Sequence, residues 1–403
     1  MFCLLHSVKA QEPSEIILDL DKAVYRVLKR SLDLSIARDE AQGNRYLVEQ
    51  ARLYPNPDFN YEVENFAGNR NWKGWKHREE RYFFSQLIET AGKRTLRTQA
   101  AAYQYYASLV GYDVAKLIIL NKLHVAFINV VAAQEYLALT IDQSQIAKEV
   151  LRIATSKVEA GKVSIIEQNK AEVAYANTVV QLDRAKTELK NTARRLSLLW
   201  ADACPDFERV CFPFYDISTP ELLEKCLARL CDQPEIVQSF FQYLNAKKNW
   251  RLEKAYRIPD VTLELGYKAN YEDNNHGLIF GISVPIPLFN RNQGNIGKAY
   301  YDMLKTGDQG RELWLILEAK ISISHEELLL AYTQAQKIKN IALPSASQAF
   351  ELAQKGYREG KFEYLDVLDA QRTLFEVREN YIQALVNYHT RQADINYLNS
   401  QTD

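Results

Sequence analysis

The chain has no run of roughly 18 consecutive apolar residues, the length a membrane-spanning helix needs. Its most apolar region, Leu117–Leu139, is interrupted by Asn121, Lys122, His124 and Glu135 and does not read as such a helix. Nor is there a long block of one charge: 50 Lys and Arg stand against 51 Asp and Glu, for a net charge of −1. That argues against a nucleic-acid-binding protein, whose usual footprint is a basic face or stripe. Catalytic signatures are missing too. There is no G-x-S-x-G, no phosphate-binding P-loop and no H-E-x-x-H. The six histidines, at 6, 77, 124, 276, 325 and 389, are scattered and form no ligand pair. The chain is therefore read as no enzyme, with no metal site and no cofactor.

Cysteine is sparse. Of the five, Cys204, Cys211, Cys226 and Cys231 fall close together near the middle of the chain. In an exported protein, Cys204–Cys211 and Cys226–Cys231 could form local disulfides. Free thiols are the other reading. Zinc ranks below both, because no CxxC pair or neighbouring histidine supports it. Methionine is scarcer still, with 2 residues against 24 tyrosines. Tyrosine suits strands and membrane interfaces, where one end of the side chain is apolar and the other wet.

What is present is ordinary in bulk and unusual in arrangement. The 403 residues are 47% hydrophobic and 25% charged, as in folded proteins, with room for two or three domains. Residues 1–10, MFCLLHSVKA, look like a shortened secretory signal cleaved after Ala10. Cys3 is a lipid anchor only in principle. Residues 15–53 carry helical spacing through Leu20, Val24, Leu28, Leu32 and Ile36, and Tyr54-Pro-Asn-Pro57 ends the pattern. Strict alternation follows at about 58–65, with Phe59, Tyr61 and Val63 opposite Asn60, Glu62 and Glu64. A second strand is expected at about 81–88. From 92 to 160 nothing breaks a helical pattern, which at 1.5 Å per residue predicts a helix of roughly 100 Å. A returning helix is expected over 163–200, and residues 201–218, with Pro205 and Pro213, read as a linker.

The second half repeats this order. Strands are expected at about 260–270 and 278–286, and helices over 293–358, with a pause near Pro344, and 362–398. The turns also match. Residues 149–171, EVLRIATSKVEAGKVSIIEQNKA, align with 348–370, QAFELAQKGYREGKFEYLDVLDA. Gly161 meets Gly360, Lys162 meets Lys361, Glu167 meets Asp366 and Ala171 meets Ala370. A period of half the chain means two tandem copies of one large unit, 11–200 and 219–403. Each glycine closes a helix hairpin. Asp366 and Asp369 share a face just inside the returning helix. Their ordinary reading is that acids suit a helix start and that Asp369 pairs with Arg372.

Strands of about ten residues with one apolar face have the length and pattern of membrane β-strands. Four cannot close a barrel, and open edges are not tolerated in lipid. Strands that enter a membrane here therefore demand oligomerisation. Three copies would supply a closed barrel.

At this point the sequence resembles the TolC-like outer-membrane efflux proteins, and within them the heavy-metal cation efflux branch. The resemblance rests on Ile282–Ala299, ISVPIPLFNRNQGNIGKA, on Leu343–Leu374 around the second hairpin, and on the two-repeat layout over nearly all of 15–398. It implies a mostly α fold with membrane β-structure: a homotrimer whose twelve-stranded barrel sits among outer-membrane lipid and continues as a long periplasmic helical barrel. It implies a passive exit duct working with a periplasmic adaptor and an inner-membrane pump. A duct for type I protein secretion is the runner-up, and a soluble coiled-coil scaffold ranks behind both. By the same resemblance Asp366, Asp369 and Tyr357 belong to the periplasmic aperture, and Gly161, Lys162, Gly360 and Lys361 to hairpin turns that dock the adaptor. Only the second repeat carries the acidic pair, since Lys170 stands at the Asp369 position of the first. Trp72, Trp75, Tyr82, Tyr267 and Tyr271 are read either as interface girdles or as ordinary loop and strand aromatics.

Overall fold

The computed structural model describes residues 17–399. In chain order its elements are strand β1 (Ile17–Leu18), helices α1 (Leu20–Arg30) and α2 (Leu32–Arg52), strands β2 (Asp58–Glu64) and β3 (Glu79–Ile88), helices α3 (Lys93–Glu159) and α4 (Ile165–Leu198), strand β4 (Arg209–Val210), helices α5 (Leu223–Ala228) and α6 (Pro234–Ala255), strands β5 (Val261–Asn270) and β6 (Asn275–Ser283), and helices α7 (Gln293–Lys337), α8 (Leu343–Glu359) and α9 (Tyr364–Leu398). The leader expected at 1–10 lies outside the described residues. Two compact units emerge. One takes the chain up to Ile36, Val114–Gln233 and everything from Ile316; the other takes Ala37–Asp113 and Pro234–Leu315.

The second unit holds a four-stranded antiparallel sheet in the order β2-β3-β5-β6. Alternation divides its residues between two faces. Phe59, Tyr61, Tyr82, Phe84, Leu265, Tyr267, Leu278 and Phe280 share one face through the pairs Phe59–Phe84, Tyr61–Tyr82, Tyr82–Tyr267, Leu265–Phe280 and Tyr267–Leu278. The rings of Phe59 and Phe84 are 5.2 Å apart, and those of Tyr61 and Tyr82 4.8 Å. This face is bare within the chain: Leu278 is 87% exposed and Phe280 69%. The opposite face is mainly polar, with Phe83 and Ile279 set among its polar residues. Asn60 donates to Ser85 Oγ at 3.0 Å, and Arg81 meets Glu62 at 2.9 Å.

Strand ends depart from the sequence expectation for identifiable reasons. Strand β6 runs 275–283, not 278–286, because Asn270 pairs with Asn275 across a turn in which Asn274 takes φ 52. Gly277 therefore joins the ladder, while Pro285, lacking an amide donor, keeps Val284 and Ile286 out of it. Strand β3 starts at Glu79, not 81, where Glu79 takes an ion pair from Lys268 and a 3.1 Å hydrogen bond from Asn270 Nδ2. Strand β2 stops at Glu64 because Asn65 turns at φ 56.

The first unit is built on helices. Its part of α3 includes a window apolar enough to cross a bilayer, yet Leu123 and Phe127 there are fully buried in protein. The helix expected over 15–53 is interrupted. Asp19 caps α1 by accepting from Lys22 N at 2.8 Å, so the chain before it stays extended and Ile17–Leu18 pairs in parallel with Arg209–Val210. Ser31 then breaks the helix with ψ 128. The expected linker over 201–218 is likewise not free, since Phe207, Val210 and Phe214 are buried. The four described cysteines are free thiols, the second of the two readings offered by the sequence. Cys226 on α5 is buried, while Cys231 is exposed.

The run expected over 293–358 contains a π-helical segment at Ile338–Ala342. Pro344 follows, and a proline cannot donate to the preceding turn and crowds its carbonyl. A π segment is a usual way to absorb that defect without ending the helix.

Candidate functional site

Both hairpins close the same way. Gly161 and Gly360 adopt φ 66 and φ 76, in the left-handed region open to glycine. Lys162 N donates to Lys157 O at 2.9 Å, and Lys361 N to Gly356 O at 2.8 Å. These are the wrap-around bonds of a glycine-terminated helix, and they satisfy carbonyls that would otherwise be orphaned. Phe362 folds back on α8 so closely that a side chain at Gly356 would meet its ring at 2.2 Å. The returning helix α9 starts at Tyr364, two residues later than the spacing predicts, because Glu363 is the N-cap.

Asp366 closes a capping box there, its Oδ2 accepting from the Glu363 amide at 2.9 Å. Asp366 and Asp369 are both exposed. Among the described residues no ion pair joins Asp369 to Arg372, so the ordinary pairing reading is not what the structure contains. Beyond the pair, α3, α4 and α9 line a groove of about 550 Å³, with Arg372, Glu376 and Glu379 on its α9 wall. In the first repeat Glu167 occupies the same helical position after the N-cap Ser164, whose Oγ accepts from Ile166 N at 3.2 Å. Lys162 and Lys170 are exposed, and Lys361 pairs with Glu359 at 2.6 Å.

Tyr357, expected at the gate by resemblance, is buried beside the second hairpin turn. Only 3% of it is exposed. Lys157 Nζ stands 3.5 Å over its ring and donates to its carbonyl at 2.6 Å. Its hydroxyl lies 3.5 Å from Glu167 Oε2, and its ring meets Tyr364 edge-on at 6.1 Å. Burial, and then the Glu167 carboxylate, push the Tyr357 phenol up to about 12. Burial also lowers the Lys157 ammonium below its usual range. The Tyr364 hydroxyl is buried without a hydrogen-bond partner among the described residues. Sequence reasoning missed Lys157: the repeat alignment sets it opposite Gly356, next to Tyr357, but only the packing of one hairpin on the other shows the contact.

The comparisons agree with this architecture. The family profile described as "Outer membrane efflux protein" matches residues 23–202 and 228–398. The cobalt-zinc-cadmium resistance protein CzcC of Cupriavidus metallidurans is 31% identical over 379 residues, covering 91% of this chain and 86% of that one. The outer membrane protein TolC of Escherichia coli is 21% identical over 321 residues, covering 75% and 64%. Among solved structures, the outer membrane protein VceC of Vibrio cholerae superposes with a TM-score of 0.81 at 17% identity, covering 95% of this chain and 96% of that one. The CusC channel superposes with a TM-score of 0.75, also at 17% identity, covering 98% and 95%. A fold shared at that level, a profile matched once in each repeat and a relative aligned almost end to end converge: the chain belongs to the outer membrane efflux protein family.

Proposed function

We propose that this chain forms, as a homotrimer, the exit duct of a tripartite efflux system, passing heavy-metal cations handed on by an inner-membrane pump and a periplasmic adaptor. The protein resides in the outer membrane, with its helical part in the periplasm. The observation that carries the duct reading is the bare apolar face of a four-stranded sheet with open edges at β2 and β6. A soluble scaffold has no use for such a face, whereas three sheets edge to edge make twelve strands around a polar interior. The metal reading rests on the relatives, named for resistance to cobalt, zinc and cadmium in one case and to nickel, cobalt and cadmium in another. The duct does no chemistry of its own.

In this reading Asp366 and Asp369 form the periplasmic constriction, and the glycine-lysine turns meet the adaptor. Three protomers bring six carboxylates around one axis, which concentrates cations and repels anions. Tyr357, held inside its hairpin, supports the aperture from behind and does not line it. Planar-bilayer recording tests the assignment. Asp366→Asn with Asp369→Asn is expected to lower the preference for cations and weaken block by multivalent cations, because the ring charge is gone. Asparagine keeps an oxygen for the Glu363 amide, so the helix start survives at a cost of about 0.3–1 kcal/mol per lost charge. Unchanged selectivity together with unchanged block would sink the aperture.

A further inference from the structure

The long connection of the sheet, between β2 and β3, reads NFAGNRNWKGWKHR over residues 65–78. It contains Arg70, Lys73, Lys76, His77 and Arg78 and no acid. It makes two short 3-10 turns, Arg70–Trp72 and Trp75–His77. Gly74, at φ 88, joins them, and each turn holds one tryptophan together with cationic side chains. Trp72 is 56% exposed, Trp75 61% and Phe66 46%, and the Phe66 and Trp75 rings pack at 5.7 Å.

The root of the loop is fastened to the apolar face of the sheet. Glu80 shares that face with Tyr82 and is 6% exposed. It accepts from Arg78 Nε at 2.8 Å and from the hydroxyls of Tyr82 at 2.5 Å and Tyr271 at 3.2 Å. Arg78 also stacks on Tyr271 at 3.6 Å and donates to the Trp75 carbonyl at 3.0 Å. His77 Nδ1 lies 3.1 Å from Glu272 in the opposite turn, which also carries Asp273. Arg78 and His77 are thus engaged. Arg70, Lys73 and Lys76 are exposed, and among the described residues none of them has an ion-pair partner.

Topology fixes which end of the sheet this is. Helices α3 and α7 leave from the ends of β3 and β6, and α2 and α6 lead into β2 and β5, so all four helices attach at one end. The β2–β3 and β5–β6 connections lie at the other. With the helices in the periplasm, the loop stands at the outer leaflet.

We propose that the β2–β3 loop binds the phosphate groups of the anionic glycolipid of the outer leaflet, through Arg70, Lys73 and Lys76, with Trp72 and Trp75 seated at headgroup depth. This rests on the outer-membrane duct reading for the orientation of the sheet. Indole rings prefer the boundary between apolar and aqueous phases, and clustered Lys and Arg near a membrane surface select anionic headgroups. The surface is complementary to that partner in both respects: cationic without a compensating acid in the loop, and continuous with the lipid-facing side through Glu80 and Arg78.

The test uses the full chain in detergent, titrated with lipid A carrying both phosphates and with lipid A stripped of them, bound lipid being counted by native mass spectrometry. The wild type is expected to hold the phosphorylated form at least tenfold more tightly, with the margin shrinking in high salt. Arg70→Gln with Lys73→Gln and Lys76→Gln is expected to remove that margin and leave channel conductance unchanged. Equal binding of the two lipids by the wild type would overturn the proposal without reference to any variant. So would an undiminished margin in a triple variant that still conducts. A chain that holds phosphorylated lipid A selectively but never conducts would overturn the duct reading and leave the loop assignment standing.

Discussion

His389 on α9 sits where a single proton bears on the whole first unit. Its Nε2 lies 2.8 Å from the Phe214 carbonyl, its ring stacks on Phe214 at 5.6 Å, and the Phe212 ring meets it edge-on at 5.0 Å. Burial holds its pKa below the ordinary imidazole value, against the smaller upward pull of the Phe214 bond. The fold therefore prefers the neutral ring. Its contribution is complete above the unfolded pKa of about 6.5 and is lost as pH falls through and below it, where the unfolded chain takes up the proton first. Thermal melts should show Tm falling from pH 7 to pH 5, and His389→Phe should flatten that slope; parallel slopes would refute the assignment. Tyr357 has the opposite sign. With its phenol pushed up to about 12, its contribution is complete below the unfolded value of about 10 and is lost as pH rises through 12. Alkaline unfolding followed by circular dichroism should set in within that window, and Tyr357→Phe should move its onset to higher pH. The sequence marked Tyr357 but not its burial. Its place beside a glycine turn is local information, whereas the Lys157 ammonium over its ring comes from 200 residues away.

The hairpins and strands are where the sequence was most legible. Gly360 announced a left-handed turn, and φ 76 bears that out. Replacing it by alanine forces a side chain into that conformation, at a cost of about 1–2 kcal/mol. Gly356→Ala should be worse, because its new methyl meets the Phe362 ring at 2.2 Å and the ring has to leave. Limited trypsin digestion at Lys361 should rank wild type, Gly360→Ala and Gly356→Ala in increasing order of cleavage, and equal rates would contradict the tight turn. Strict alternation located β5 to within a residue, because five apolar and five polar positions leave one register. The far hairpin was harder. Asp273 to Gly277 is all turn-forming residues, and only pairing with β5 shows that the turn ends at Asn274. The two-residue strands β1 and β4 carry too little pattern to be seen at all. The acidic pair was visible as spacing, but the capping role of Asp366 depends on where the N-cap falls, and that moved by two residues.

For the molecule as a whole, the open edges at β2 and β6 lead to one further expectation. Cross-linking in native membranes should yield a trimer, since three sheets are needed to leave no strand edge facing lipid. A monodisperse monomer stable without detergent would end the barrel reading. The pairing of β1 with β4 bears on how such a molecule is made. Ile17 and Leu18 lie near the start of the chain, and their partners Arg209 and Val210 come past its midpoint. Strand β3 likewise waits for β5. Neither unit is contiguous in sequence, so neither can finish while the ribosome is still on the first half. Ile17 and Leu18 are thus made well before the residues that clasp them. Between those two moments, periplasmic chaperones have a substrate and proteases have an opening.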